Sequence, residues 1–195
     1  MNITLSGIDE KTDIDLLNES ILKLEIETIE AGILYTFSPD GRNRYPRKEW
    51  ILETVPKLKN VSIHICGSRA RQQLLNGELD NILVSVDRIQ VNGKVDEETL
   101  NKLCYKYKKQ YIITQHYNEN IDLLKTIWEN HSILIDSSGG RGITPTSWPK
   151  LNTYKYIGYA GGLNADSITV QSEGIKKVLG WNSTTSWVDA ESKLR

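Results

Sequence analysis

Along the chain, short aliphatic runs alternate with stretches whose apolar residues recur every three or four positions. Strand-like runs occupy residues 3–6, 29–37, 61–66, 88–92, 111–116, 132–136, 154–160 and 187–191. Between them Ile14, Leu17, Ile21 and Leu24, then Ile51, Val55 and Leu58, and later Ile121, Leu124 and Trp128 fall at helical spacing. Thr12 or Asp13, Asn118 and Asn164 stand where helix N-caps are expected. Strands alternating with amphipathic helices predict a parallel α/β fold. No repeat, low-complexity tract or linker divides the chain, so residues 1–195 read as one domain.

The parity of polar residues within the strands narrows the fold. Val61, Ile63 and Ile65 oppose Ser62, His64 and Cys66; Ile89 and Val91 oppose Arg88, Gln90 and Asn92; Ile133 and Ile135 oppose Ser132, Leu134 and Asp136. An open sheet covered by helices on both faces is apolar on both parities. A compact (β/α)8 TIM barrel accounts for the mixture, because only the outward parity meets helices while the inward parity lines an interior with a polar C-terminal mouth. The chain stops at Arg195, directly after the eighth strand-like run. The expected barrel therefore lacks its final C-terminal helix, and a second copy of the chain is a candidate to cover that seam.

Composition then removes whole classes of partner. A chain of 195 residues with 38% hydrophobic positions can bury one good-sized core. Its formal charge of -1 gives no cationic excess for a nucleic-acid polymer. No apolar run approaches the roughly 20 residues that span a bilayer, and the N-terminus lacks the basic segment and apolar core of a secretory leader. The expectation is a soluble, cytoplasmic protein without a membrane partner. Cys104 shares a helical stripe with Leu100, Leu103 and Tyr107 and reads as core, whereas Cys66 ends a strand beside Gly67 and is a candidate for function.

Candidate chemistry collects at strand ends. In "ILIDSSGGRG", residues 133–142, an aliphatic strand delivers Asp136 to a loop containing Gly139, Gly140, Arg141 and Gly142. Asp136 can protonate a ring oxygen or bond a ribose, and Arg141 can hold a phosphate or carboxylate in fork geometry. The plainer alternative is that Asp136 bonds loop amides and Arg141 is solvated. Gly161 and Gly162, followed by Asn164 and a helix, read as an anion cradle. His64 and Cys66 end strand three and Gln115 and His116 end strand five, supplying candidate acid, base or thiolate groups. Asp189 and Glu191 add carboxylates at strand eight. No tight ligand spacing marks a metal centre, so neither metal nor cofactor is expected. Arg42, Arg44 and Arg47 form a basic loop after strand two; Gln90 and Asn92 can bond ribose hydroxyls or belong to an interior network.

These segments resemble a known family. "LIDSSGGRGITPTSW" is similar to the strand-six segment of phosphoribosylanthranilate isomerases, matching at Asp136, Gly139, Gly140, Gly142 and Trp148; "GYAGGLNADSI" resembles their strand-seven phosphate loop and "DRIQVNG" their strand-four end. The likeness covers most of the chain and is strongest from Asp87 onward. A bacterial barrel group carrying that isomerase's label resembles it more closely, through "EAGILYTFSP", "NRYP", "HICG", "QVN", "TQH", "DSSGGRG", "GYAGG" and "WVDAES". The resemblance implies a phosphorylated ribosyl ligand, aligns Asp136 with the general acid, and aligns Arg44 with an arginine that contacts the anthranilate carboxylate.

Two departures bear on activity. The family's strand-one cysteine base is replaced by Ser6 before Gly7, and an unperturbed alcohol is no base near neutral pH. At strand eight, Ala190-Glu191-Ser192-Lys193 stands where the family has a Ser-Gly phosphate turn. Two functions follow as expectations. One is isomerase-type acid–base catalysis on a phosphorylated ribosyl or nucleotide-derived compound, with Cys66, His64, His116 or Glu191 replacing the base. The other is a non-catalytic protein that sequesters a nucleotide-derived metabolite or signalling molecule.

Overall fold

The computed structural model describes residues 1–23, 29–38, 44–117, 127–151, 155–180 and 186–190. Eight strands, β1 (Asn2–Ser6), β2 (Ile29–Thr36), β3 (Val61–Cys66), β4 (Arg88–Val91), β5 (Tyr111–His116), β6 (His131–Asp136), β7 (Ile157–Ala160) and β8 (Ser186–Ala190), form a closed barrel in sequence order. Every neighbouring pair is parallel, and β8 closes on β1 with Asn2 opposite Trp187 and Leu5 opposite Ala190. The result is an eight-stranded parallel α/β barrel with all strand C-termini at one mouth.

Six helices are present among the described residues: α1 (Ile14–Lys23), α2 (Lys48–Thr54), α3 (Ser68–Asn76), α4 (Asp80–Leu83), α5 (Glu97–Lys106) and α6 (Ile168–Leu179). Asp13 caps α1 by accepting from the Leu16 amide at 2.9 Å, and Asp96 caps α5 through Thr99 at 2.7 Å. The periodic run through Val55 and Leu58 is shorter as α-helix than its spacing suggests. Pro56 brings no backbone donor, and α2 passes into a 3-10 turn at Val55–Lys57. The helix expected from Asn118 through Ile121 and Leu124 lies outside the described residues, as do Leu24, Tyr154, Arg42 and Glu191. Between β6 and β7 the described residues hold no helix, so strict strand–helix alternation is not seen there.

Outward parity builds the main core. Ile33, Tyr35, Ile63, Ile65, Ile89, Val91 and Ile112 meet Ile51, Val55, Leu74, Leu83, Leu100, Leu103 and Cys104 from the helices. Ile133, Ile135, Ile157, Tyr159 and Val188 form a second cluster with Ile175 of α6 and Trp148. The interior is different. Ile113, Leu134 and the fully buried Trp187 make a small apolar plug, surrounded by buried Thr4, Ser6, Glu30, Ser62, His64 and Gln90. Trp187 fits because β7 carries glycine beside it: a Cβ at Gly158 would lie 2.1 Å from the indole. The plug divides the barrel interior into two ends.

Candidate functional site

A cavity of about 430 Å³ opens at the C-terminal mouth. His64 and Cys66 reach it from β3, Gln90 from β4, Gln115 from β5, Asp136 from β6 and Asp189 from β8, because each occupies the inward parity near its strand end. Loops contribute Arg44, Asn92, Gly139, Gly140, Gly142, Gly161 and Gly162. Residues that are distant in sequence thus share one wall-to-wall site.

The remaining candidates lie elsewhere. His116 has the opposite parity to Gln115; its Nε2 lies 2.7 Å from Thr114 Oγ1, which also contacts His131 Nε2 at 2.7 Å, on the outer side of the barrel. Arg141 is exposed, donates Nε to the Ser138 carbonyl at 2.8 Å, and borders a neighbouring depression with His116 and Leu151. Asn164 Oδ1 accepts from the amides of Asp166 and Ser167, each at 3.0 Å, so it serves the turn into α6. Glu191 belongs to the residues outside the description.

Asp136 organises its own loop. Oδ1 accepts from the Ser138 amide and hydroxyl at 3.0 and 2.8 Å; Oδ2 accepts from Gln115 Nε2 at 2.8 Å and from the Gly140 amide at 2.5 Å. Those four donors match the four lone-pair sites of a carboxylate. The amide-bonding alternative is therefore the arrangement present. Gly140 and Gly142 allow the turn with φ of 83° and 64°. Gly162 is needed for a second reason, since a Cβ there would fall 2.3 Å from Thr144 Oγ1, where the β6 and β7 loops pack together.

The titratable groups of the cavity are set by burial. His64 is held neutral: burial first, then the charges of Arg88 and Arg44, push its pKa down to about 3. Its ring contacts Ser62 Oγ at 2.9 Å and Gln90 Nε2 at 3.2 Å, and with the Gln90 amide donating to Nδ1 the proton sits on Nε2 toward Ser62. Cys66 is not a thiolate base either. Burial raises its pKa, against the opposing hydrogen bonds from Asn92 and Tyr45 and the fields of Arg44 and Arg71. Asp189 behaves differently from both. Burial lifts it to about 6, opposed by the hydrogen bond from Ser6 and helped by nearby Glu30. The Ser6 hydroxyl donates to Asp189 Oδ1. Gly32 makes this possible, because a Cβ there would lie 2.7 Å from Ser6 Oγ and 3.1 Å from His64 Nε2.

Sequence reasoning missed Arg71, Tyr45 and Tyr117, which also line the cavity. Arg71 reaches it from α3, with Nη1 donating to the Asn92 carbonyl at 2.8 Å. The available signal was Gly67: a glycine between strand and helix brings the first turns of α3 to the mouth. With His64 neutral, Arg44 and Arg71 are matched in number by Asp136 and Asp189 around the cavity, and Gln90, Asn92 and Gln115 supply amide donors and acceptors fit for hydroxyls. In comparisons with known proteins, the chain matches no family model, no curated protein and no solved structure.

Proposed function

We propose that this protein binds a phosphorylated ribosyl or nucleotide-derived small molecule at the C-terminal mouth of a (β/α)8 TIM barrel of the phosphoribosylanthranilate isomerase-like kind. The observation that carries the reading is the convergence of Arg44 and Arg71 with the glycine turns at Gly139–Gly140 and Gly161–Gly162 in one 430 Å³ cavity. Guanidinium groups bind phosphate as charge-assisted forks, and glycines let backbone approach an anion closely. Gln90, Asn92 and Gln115 line the same space and suit sugar hydroxyls. The volume falls in the range of small-molecule sites. For the barrel class, the support is the closed parallel topology with helices following five of the strands. Both cysteines, Cys66 and Cys104, are unpaired, in keeping with a reducing cytoplasm.

Sequestration without turnover is the simpler form of this function, since neither His64 nor Cys66 is a base at neutral pH. One observation favours catalysis instead: Asp189, raised to about 6 and hydrogen-bonded to Ser6, stands in the cavity as an acid–base group suited to neutral pH. The deciding experiment is a thermal melt with ribose 5-phosphate, a nucleoside 5'-monophosphate and unphosphorylated ribose. A saturable rise in Tm with the phosphorylated compounds alone supports the reading; a flat response to all phosphorylated compounds overturns it. Product formation from a bound compound, lost in Asp189→Asn, assigns an isomerase-type enzyme, and binding without product assigns the sequestering protein.

A further inference from the structure

Arg44 holds a backbone conformation that its residue type disfavours. Its φ is 90°, and at the ten other described positions with positive φ the chain places glycine. Glycine at position 44 would relieve the backbone but remove a guanidinium that lines the C-terminal cavity. A non-glycine residue persists in this region only where its surroundings over-determine it, and such residues gather at ligand clamps. We infer, on the phosphate reading given above, that Asp9 is a positioning residue of the mouth: by holding the Arg44 amide it fixes this conformation and sets the guanidinium against the anionic group of the ligand.

Asp9 is prepared for that role by its own loop between β1 and α1. Oδ1 accepts from the Lys11 amide at 3.1 Å, and the Asp9 amide donates to Thr12 Oγ1 at 3.2 Å, so the side chain is locked in a tight turn. Oδ2 is then directed to the loop between β2 and α2, where it accepts from the Arg44 amide at 3.1 Å. Glu10 repeats the contact, its Oε1 accepting from the Arg47 amide at 3.3 Å and from Arg47 Nε at 2.9 Å. Consecutive carboxylates of one loop thus bracket residues 44–47 of the other, with the buried Pro46 between them. The two halves are unequal. Glu10 and Arg47 are exposed, where an ion pair contributes little; Asp9 is 6% exposed, and a carboxylate accepting a backbone amide there is the stronger anchor.

The bracketed residues are the ones that meet the ligand space. Arg44 and Tyr45 both line the cavity, with the guanidinium carbon 5.8 Å from the Tyr45 ring centroid. A guanidinium binds phosphate as a fork, so its orientation matters as much as its charge. Without the Asp9 anchor the charge remains in the loop, but φ at Arg44 relaxes and the fork turns away.

Calorimetric titration of ribose 5-phosphate into the parent chain, Arg44→Ala, Asp9→Ala, Asp9→Asn and the Arg44→Ala/Asp9→Ala double variant tests the inference. Arg44→Ala and Asp9→Ala are each expected to weaken binding about tenfold, and the double variant no further than Arg44→Ala alone, because both substitutions remove one interaction. Asp9→Asn, which keeps an acceptor oxygen for the Arg44 amide, retains affinity within about threefold of the parent. If Asp9→Ala does not fold, Asp9→Leu gives the buried position an apolar side chain without an acceptor and carries the same expectation. Absence of binding to the parent, or affinity unchanged in Arg44→Ala, overturns the phosphate reading and this role with it. A loss in Arg44→Ala beside unchanged affinity in the Asp9 variants, or losses that multiply in the double variant, overturns the role of Asp9 alone.

Discussion

The two ends of the barrel place arginines in opposite roles. At the N-terminal end Arg88 is inside the structure, paired with a buried glutamate and stacked on an indole; at the C-terminal mouth Arg44 and Arg71 border open space. The first arginine neutralises a charge the fold has buried. The others stand where a ligand in the cavity can reach them. One apolar plug, Ile113, Leu134 and Trp187, lies between the two ends.

The largest effect that sharpens this contrast is at Arg88. Arg88→Met removes the cation from the buried Glu30 ion pair and leaves Thr4 as its remaining hydrogen-bond donor, which destabilises the fold by about 3–5 kcal/mol in chemical denaturation, whereas Arg44→Ala changes it by less than about 1 kcal/mol. Equal costs would show that the mouth is as structural as the interior.

Next in size is the response to pH, which the two histidines and Asp189 pull in opposite directions. His64 and His131, both pushed by burial to about 3 from 6.5, contribute stability that is complete above pH 6.5 and lost as pH falls toward 3. Asp189, raised from 3.8 to about 6, contributes stability that is complete below 3.8 and lost as pH rises through 6. Asp189→Asn is therefore expected to be more stable than the parent at pH 8 by roughly 2–3 kcal/mol, with the advantage gone near pH 4. Thermal melts across that range check it, and a pH-independent difference would contradict the assigned burial.

Smaller effects test the mouth itself. Gly162→Ala, forced to keep φ near 61° with its Cβ against Thr144, loses about 1–2 kcal/mol of stability and weakens phosphorylated ligands as the β6 and β7 loops separate. Arg71→Ala weakens ribose 5-phosphate about tenfold, or about 1.4 kcal/mol, with little change in folding; a loss of stability without loss of binding would move Arg71 to the structural group.

Much of this arrangement was legible in the chain. Alternation through Val61–Cys66 and His131–Asp136 separated the wall from the lumen because a strand's side chains can face only two ways, so inward polar residues at strand ends had to meet. His116 shows where that inference fails: a strand end alone does not give parity, and Gln115 held the inward position. Asp136 was found, but its saturation by Ser138, Gly140 and Gln115 depends on the folded turn. Asp189 was found too, yet its raised pKa comes from burial inside the closed barrel, and its hydrogen-bond partner Ser6 lies 183 residues away in sequence. For Arg71 the chain offered only the indirect signal of Gly67, since a polar residue on a surface helix looks the same whether it faces solvent or a cavity.

The most direct measurement of the central claim is diffraction from crystals soaked in ribose 5-phosphate. The account predicts phosphate density held between Arg44, Arg71 and the glycine turns at the C-terminal mouth, with the sugar against Gln90 and Asn92. Density at the N-terminal end of the barrel instead, or a mouth that stays empty at saturating concentration, would contradict it.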